Sequence, residues 1–281
     1  MVTIVADTTS TLSVEEAKSL GVPYLPQIII FGEDSYRDDG EIDTPTFLKK
    51  LREFTGLPKT AAPSPALYAP VYEELLARGE SIVVLTPSED VSGTYRGAFV
   101  AAQDFPGKDI HVVDTRTVAA GLGTLVRQSV KWAKAGLSPE EIVKNIKSLA
   151  SQERIFFYVD TLEFLHKNGR IGGAKALVGS VLQIKPILTV GDGRIQPFEQ
   201  QRTKKRAISR VLELIIETFP KKQEPFLQIM QGDALEDTLW FKEQFATQLG
   251  IKDVPIVELP PAIIVHAGPG TLAISYFMDP Q

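Results

Sequence analysis

The chain has 281 residues with a formal net charge of −5, 43% hydrophobic and 23% charged residues, and no cysteine. These proportions are those of an ordinary folded protein, so disordered and fibrous classes are excluded, and the missing cysteines remove disulfides, thiolate zinc sites and cysteine nucleophiles. The acidic balance argues against nucleic-acid binding, which shows a basic surface, and the length suits two domains of middling size.

Apolar runs such as Ile28 to Phe31 are far shorter than the roughly 18 residues a membrane span needs, so none is expected. The opening "MVTIVADTTSTLS" has no basic n-region and meets Asp7 early, so no signal peptide is expected and a cytoplasmic location is the default.

In chain order, Val2 to Ala6 reads as a strand and Ser13 to Leu20 as a helix, with Ser13 and Glu16 matching a capping box. Tyr24 to Phe31 reads as a second strand. Helices follow at Thr44 to Phe54, with Pro45 near its start, and at Ala66 to Arg78. Ile82 to Thr86 is a buried strand, Gly93 to Asp104 a helix, Ile110 to Asp114 a strand and Ala120 to Ala135 a helix. Ser138 with Glu141 caps another helix, to about Ala150. Strand-to-helix units in series predict parallel strands covered by helices over residues 1–152.

The texture changes over residues 153–281. Ile155 to Val159 reads as a strand and "EFLHKNGRIGGAKALVGSVL" as helix-like. Ile187 to Val190 and Ile195 to Phe198, joined through "GDGR", read as a hairpin. Helices at Lys204 to Phe219 and Leu235 to Leu249 alternate with strands at Phe226 to Met230, Val254 to Leu259 and Ile263 to His266. The fold class is therefore α/β: a parallel-sheet α/β/α domain followed by a smaller α+β domain.

Several chemistries fail on spacing. His111, His166 and His266 are the three histidines, and no two stand three or four residues apart, so no intrinsic metal is expected. Gly268 to Ala273 fits G-x-G-x-x-A, but the chain ends eight residues later, leaving no acidic ribose partner. Ser92, between a strand and a helix, lacks the glycines of a nucleophile elbow: Asp90 and Thr94 stand there.

An anion site explains more residues together. Ser92 with Gly93 at a helix start offers a hydroxyl and free N–H groups. Thr60 in "KTAAPSP" is a second hydroxyl in a Pro-rich loop, with Ser64 as a helix cap beside it. Arg170 in "KNGRIGG" and Arg202 in "QQRTKKR" supply cations, and the turn at Gly268 lets backbone approach a ligand beside His266. Read singly, these remain a helix cap, turn residues and solvated charges.

The stretches "IVADTTSTLS", "YRDDGEID", "KTAAPSP", "VSGTYRGA", "VVDTRTVAAGLG", "LEFLHKNGRIGG", "IKPILTVGDGRI", "RTKKRA" and "HAGPGTLAISY", in this order, resemble the DegV family of bacterial fatty-acid-binding proteins over essentially the whole chain. The resemblance implies an EDD-type first domain and a long-chain fatty acid at the domain interface, with no cofactor and no catalysis. Thr60, Ser92 and His266 would hold the carboxylate. Ser64, Gly93, Arg170, Arg202 and Gly268 would line the head group or dock a partner, a separate fatty-acid kinase. Peripheral membrane contact would serve lipid exchange.

Two departures stand out: the family's "T-S-Q-P-S" is Thr60-Ala61-Ala62-Pro63-Ser64, and "GGR" is Asn168-Gly169-Arg170. The alternative reading is an acyl-ester hydrolase or acyl transferase using Ser92 and His266. Leu177, Val178, Val181 and Leu182 have the spacing of a tunnel wall, and equally of ordinary core.

Overall fold

In the computed structural model, which describes residues 1–178, 184–220 and 226–278, the chain forms two compact units. One is Met1–Asp43 with Pro58–Ser151; the other is Thr44–Leu57 with the chain from Gln152 onward. The first 151 residues give β1 (Val2–Asp7), α1 (Val14–Leu20), β2 (Tyr24–Leu25), β3 (Ile28–Phe31), β4 (Asp34–Arg37), α2 (Thr44–Glu53) and β5 (Lys59–Ala61). After these come α3 (Pro65–Ala77), β6 (Ser81–Thr86), α4 (Thr94–Ala102), β7 (Ile110–Asp114), α5 (Ala119–Lys134) and α6 (Pro139–Ala150).

Strands β2-β1-β6-β7 form a wholly parallel sheet. Its central strands are apolar on both faces because helices cover both. Val5, Ile82 and Val84 pack with Tyr68, Tyr72 and Leu75 of α3 and with Ala98 and Ala101 of α4, while α5 and α6 lie against β1, β6 and β7. The alternation of side chains along a strand turns Ile4, Val83 and Leu85 the other way, and all three are buried. The α/β/α sandwich expected of this region is present.

Two expectations for the first unit change, and one strand was not foreseen. Tyr24 to Phe31 is two strands in two sheets: β2 pairs with β1, whereas β3 pairs antiparallel with β4 and β5. Pro26, which has no N–H to donate, stands at the break. Strand β4 had no reading because "DSYR" is polar, and only one of its residues is even half-buried. At α1, Ser13 accepts the Glu16 N–H at 3.0 Å, but the Glu16 carboxylate pairs with Arg127 at 2.6 and 2.8 Å instead of completing the capping box. The second box, Ser138 with Glu141, is complete.

The second unit holds β8 (Glu153–Tyr158), α7 (Glu163–Lys167), a 3-10 turn at Gly172–Leu177, β9 (Lys185–Gly191), β10 (Arg194–Gln201), α8 (Lys204–Thr218) and β11 (Gln228–Gly232). It continues with α9 (Leu235–Gln248), β12 (Ile256–Glu258), α10 (Pro261–Ala267) and β13 (Thr271–Phe277). Its six-stranded sheet runs β10-β9-β8-β13-β11-β12. Ala207, Val211 and Ile215 of α8 and Phe241 and Phe245 of α9 bury one face of it against Tyr158, Ile229, Ile274 and Tyr276. The β9–β10 hairpin turns at Asp192 (φ 49°) and Gly193 (φ 76°), the two positive φ values of a type I′ turn, for which Asp-Gly is well suited. Pro197 falls where the register of the edge strand β10 shifts, a place where a missing N–H costs no ladder bond.

Here Ile263 to His266 is a helix, not a strand. Pro260 holds an extended cap (φ −67°, ψ 157°), Pro261 opens the first turn, and Ala262, Ile264 and Val265 are buried; tertiary packing outweighs the β-branched run. The expected helix-like stretch after residue 160 is one short helix and a 3-10 turn, and Val181 and Leu182 lie outside the described residues. Strand β13, which had no reading, is fully buried between β8 and β11. Segment Thr44–Leu57 joins this unit, with the Thr44 hydroxyl donating to the Leu259 carbonyl at 3.0 Å.

Candidate functional site

In the first unit the two hydroxyls of interest stand on neighbouring elements. Thr60 sits in β5, not in a loop, paired with Ile29 of β3. The chain then runs through Ala61, Ala62 and Pro63 to the start of α3. Gly93 lies against this stretch: a Cβ built there would meet the Ala62 Cβ at 3.5 Å. At Gly97 the approach is closer still, since a Cβ would stand 2.4 Å from the Pro63 carbonyl oxygen. Two glycines on one side of α4 thus let the helix close on the loop that follows Thr60.

Helix α4 starts at Thr94 with Gly93 at its cap position, so Ser92 lies one residue outside it. Ser92 Oγ accepts the Thr94 N–H at 3.3 Å and lies 3.0 Å from Thr94 Oγ1. The helix cap expected of Ser92 is not formed, since Gly93 holds the cap position with no side-chain cap bond; Ser92 instead closes a local turn onto the Thr94 N–H. Ser64 occupies a cap position before α3 in extended geometry but makes no side-chain cap bond. Ser64 and Gly93 are both exposed, whereas Thr60 and Ser92 are half-buried.

Sequence reasoning passed over what stands behind Ser92. Asp7, at the carboxyl end of β1, is fully buried, as is Thr94. Its carboxyl accepts from Thr94 Oγ1 at 2.8 Å, Gln27 Nε2 at 2.6 Å, the Thr9 N–H at 3.1 Å and the Thr9 hydroxyl. Burial raises the Asp7 pKa above its ordinary value, against the pull of these hydrogen bonds. Asp38 lies close by and accepts the Gln27 N–H at 2.8 Å; burial, with the Asp7 charge adding to it, pushes its carboxyl up to about 7. The signal was the "ADTT" at the end of an apolar strand, where a carboxylate is out of place unless it is partnered.

The second unit brings three of the expected residues together. His266 lies in the last turn of α10, and burial together with the charge of Arg170 pushes its imidazole down to about 3. The ring is therefore neutral at ordinary pH, able to donate one hydrogen bond and accept another. Arg170 is half-buried and donates to the Asn168 carbonyl at 2.7 Å, while the Asn168 amide donates to the Val265 carbonyl at 2.9 Å. This ties the loop after α7 to the last turn of α10. Gly268 (φ 84°) is required there, because a Cβ would stand 2.7 Å from the Phe164 ring.

Arg202 is exposed in the turn between β10 and α8, where Thr203 caps the helix through the Arg206 N–H at 3.2 Å. A cavity of about 400 Å³ in the same unit is walled by Leu162, Leu177, Val178, Ile184 and Pro186 beside His166 and Lys167. Asp109, His111 and Glu140 come within 4.8 Å of one another, a grouping that spacing along the chain did not suggest. No helix among the described residues is long and apolar enough to cross a membrane.

The DegV family model, described as "Uncharacterised protein, DegV family", matches residues 1–279. The chain belongs to the DegV family. A DegV domain-containing protein of Deinococcus radiodurans is 34% identical over 277 residues, spanning 98% of this chain and 97% of that protein. The solved structure of a fatty-acid-binding DegV family protein from Thermus thermophilus superposes with a TM-score of 0.90 at 31% identity, over 98% of this chain and 99% of that one. A stearic-acid-binding protein from Eubacterium ventriosum gives 0.86 at 26% identity, over 99% and 98%. Both solved relatives match a DegV chain from end to end, so the α/β class and the topology above are those of the family.

Proposed function

We propose that this protein is a carrier that binds a long-chain fatty acid and holds its carboxylate through Thr60, Ser92 and His266. The reading further assigns it a cytoplasmic location, no turnover of its own, and a separate fatty-acid kinase to which the acid is presented. The observation that carries the first part is the full-length likeness to the fatty-acid-binding protein of Thermus thermophilus. The head-group assignment rests on the family resemblance, supported by Thr60 and Ser92 lying on adjoining elements of one unit and by a neutral His266 beside a half-buried arginine.

The energetics fit a carrier. Each methylene removed from water contributes roughly 0.8 kcal/mol, so the tail dominates affinity even after association costs are subtracted. The carboxylate adds little net binding, but left without donors in a dry site it would cost several kcal/mol. Hydroxyls and a neutral imidazole meet that requirement at about 1 kcal/mol each and bring no second buried charge. Arg202, exposed at a helix start, suits partner docking, and entry of so apolar a ligand suits transient contact with a membrane surface.

Mass spectrometry of the organic extract of purified protein, paired with a thermal shift on adding oleate, tests the reading. A co-purified C14 to C18 acid and a concentration-dependent rise in Tm are expected. No acid and no shift would overturn it. Hydrolysis of a nitrophenyl acyl ester that disappears in Ser92→Ala would instead establish the hydrolase. Arg202→Ala is expected to keep the lipid while slowing acyl-phosphate formation by the kinase.

A further inference from the structure

The direction of a hydroxyl proton decides whether Ser92 is a donor or an acceptor toward a ligand, and the chain of partners behind it fixes that direction. Thr94 Oγ1 has one proton and two lone pairs. It is met by Asp7 Oδ2 at 2.8 Å, Gln27 Nε2 at 3.0 Å and Ser92 Oγ at 3.0 Å. Gln27 Nε2 can only donate. The two remaining contacts must therefore run in one sense or the other: Ser92 to Thr94 to Asp7, or Asp7 to Thr94 to Ser92.

When Asp7 is ionised it can only accept, so Thr94 gives it its proton, and Thr94 in turn takes the proton of Ser92. Ser92, which also accepts the Thr94 N–H at 3.3 Å, then shows only its remaining lone pair to a ligand. When Asp7 carries a proton on Oδ2, it donates to Thr94, Thr94 donates to Ser92, and the Ser92 proton is released to point outward. Every donor and acceptor along the chain is satisfied in both arrangements. A fatty-acid carboxylate, which is all acceptor, fits only the second.

We propose that Asp7 is the positioning residue for Ser92: acting through the Thr94 hydroxyl, it sets the direction of the Ser92 proton and so makes Ser92 a donor when an anionic carboxylate binds. The inference rests on the head-group role assigned to Ser92 above. Binding of the anion then draws one proton from water onto Asp7, so that no second uncompensated negative charge is buried beside it. Burial already holds the Asp7 carboxyl above its ordinary range. The titratable groups that feel its charge are Asp38, Tyr24 and Tyr68, each raised first by burial and then by Asp7. Of these Asp38 alone changes charge near neutral pH, which makes Asp38→Asn the control for the proton count.

Calorimetric titration with oleate at pH 7.5, in two buffers of different ionisation enthalpy, counts the protons taken up. Wild type and Asp38→Asn are expected to take up a measurable fraction of a proton, and Asp7→Asn close to none, with an affinity that stays level from pH 6 to 9 where that of wild type falls. Equal uptake in wild type and Asp7→Asn overturns the inference, as does loss of uptake in Asp38→Asn alone.

A double-mutant cycle supplies a second reading. Ser92→Ala is expected to weaken oleate binding about five-fold in the wild-type background and less than two-fold in Thr94→Val, with Thr94→Ser restoring the full effect. A five-fold loss in both backgrounds overturns the relay. If one of the variants fails to fold, the other experiment decides alone. A wild-type protein that binds no oleate overturns the carrier reading itself, an outcome distinct from either failure of the relay.

Discussion

Asp7 and Asp38 are joined through one residue, since the Gln27 side-chain amide donates to Asp7 and the Gln27 backbone N–H to Asp38. With its carboxyl pushed up to about 7, Asp38 binds a proton more tightly in the folded protein than in the unfolded chain, where its pKa is near 4. The folded state therefore loses stability as pH rises from about 4 through 7. Asp38→Asn is expected to raise Tm by several degrees at pH 8 and by much less at pH 5, as differential scanning calorimetry would read; equal gains at both would contradict it.

His266 has the opposite sign. Its folded-state pKa of about 3 lies below the unfolded value near 6.5, so the stability it contributes is complete above about 6.5 and drains away as pH falls toward 3. Between pH 6.5 and 4, urea unfolding of His266→Gln should show a shallower loss of stability than wild type. A proton NMR titration should find the His266 ring still neutral at pH 5. Both residues carry ordinary letters in the sequence; burial and neighbours supplied by distant segments create their behaviour.

At the scale of elements, two serines that look alike in sequence separate. Ser138 holds a full capping box with Glu141, at 3.3 Å and 2.8 Å, while Ser64 makes no cap bond. Urea denaturation is expected to show a loss of about 1 kcal/mol for Ser138→Ala and less than about 0.5 kcal/mol for Ser64→Ala. Gly97 is a stricter case. A methyl there would press on the Pro63 carbonyl at 2.4 Å, so Gly97→Ala should cost about 1–3 kcal/mol and weaken oleate retention, because α4 positions Ser92.

The elements also show where a reading by pattern ends. Parallel strands β1, β6 and β7 were legible because apolar runs bounded by turns need no partner to be recognised. Strand β4 was not, because a polar edge strand is defined by the ladder it joins. Residues 263–266 became a helix because Pro260 and Pro261 set its first turn and packing chose its buried face, against the β-branched letters.

For the whole molecule, the segment Thr44–Leu57 is the clearest departure from chain order. It interrupts the first unit in sequence yet packs with the second, held by Thr44 to Leu259 at 3.0 Å and by Arg52 to Asp233 at 2.7 Å. Thr44 is 6% exposed, so Thr44→Val leaves the Leu259 carbonyl short of a donor, at a cost of about 1–3 kcal/mol. Hydrogen exchange is expected to quicken at the amides of α10 and β13 while those of β6 stay protected; the reverse pattern would place the segment with the other unit.

By itself the sequence determined the α/β class, most helices, the β9–β10 hairpin and the ordered motifs that mark the family, because period, caps and turn residues are local physics. Only the tertiary structure decided that β13 lies at the centre of its sheet, that residues 44–57 serve the second unit, and that Ser92 is backed by Thr94 and a buried Asp7. Those facts depend on contacts between segments far apart in the chain. A buried carboxyl acquires its proton affinity from the neighbours the fold brings to it, and no local stretch of letters contains them.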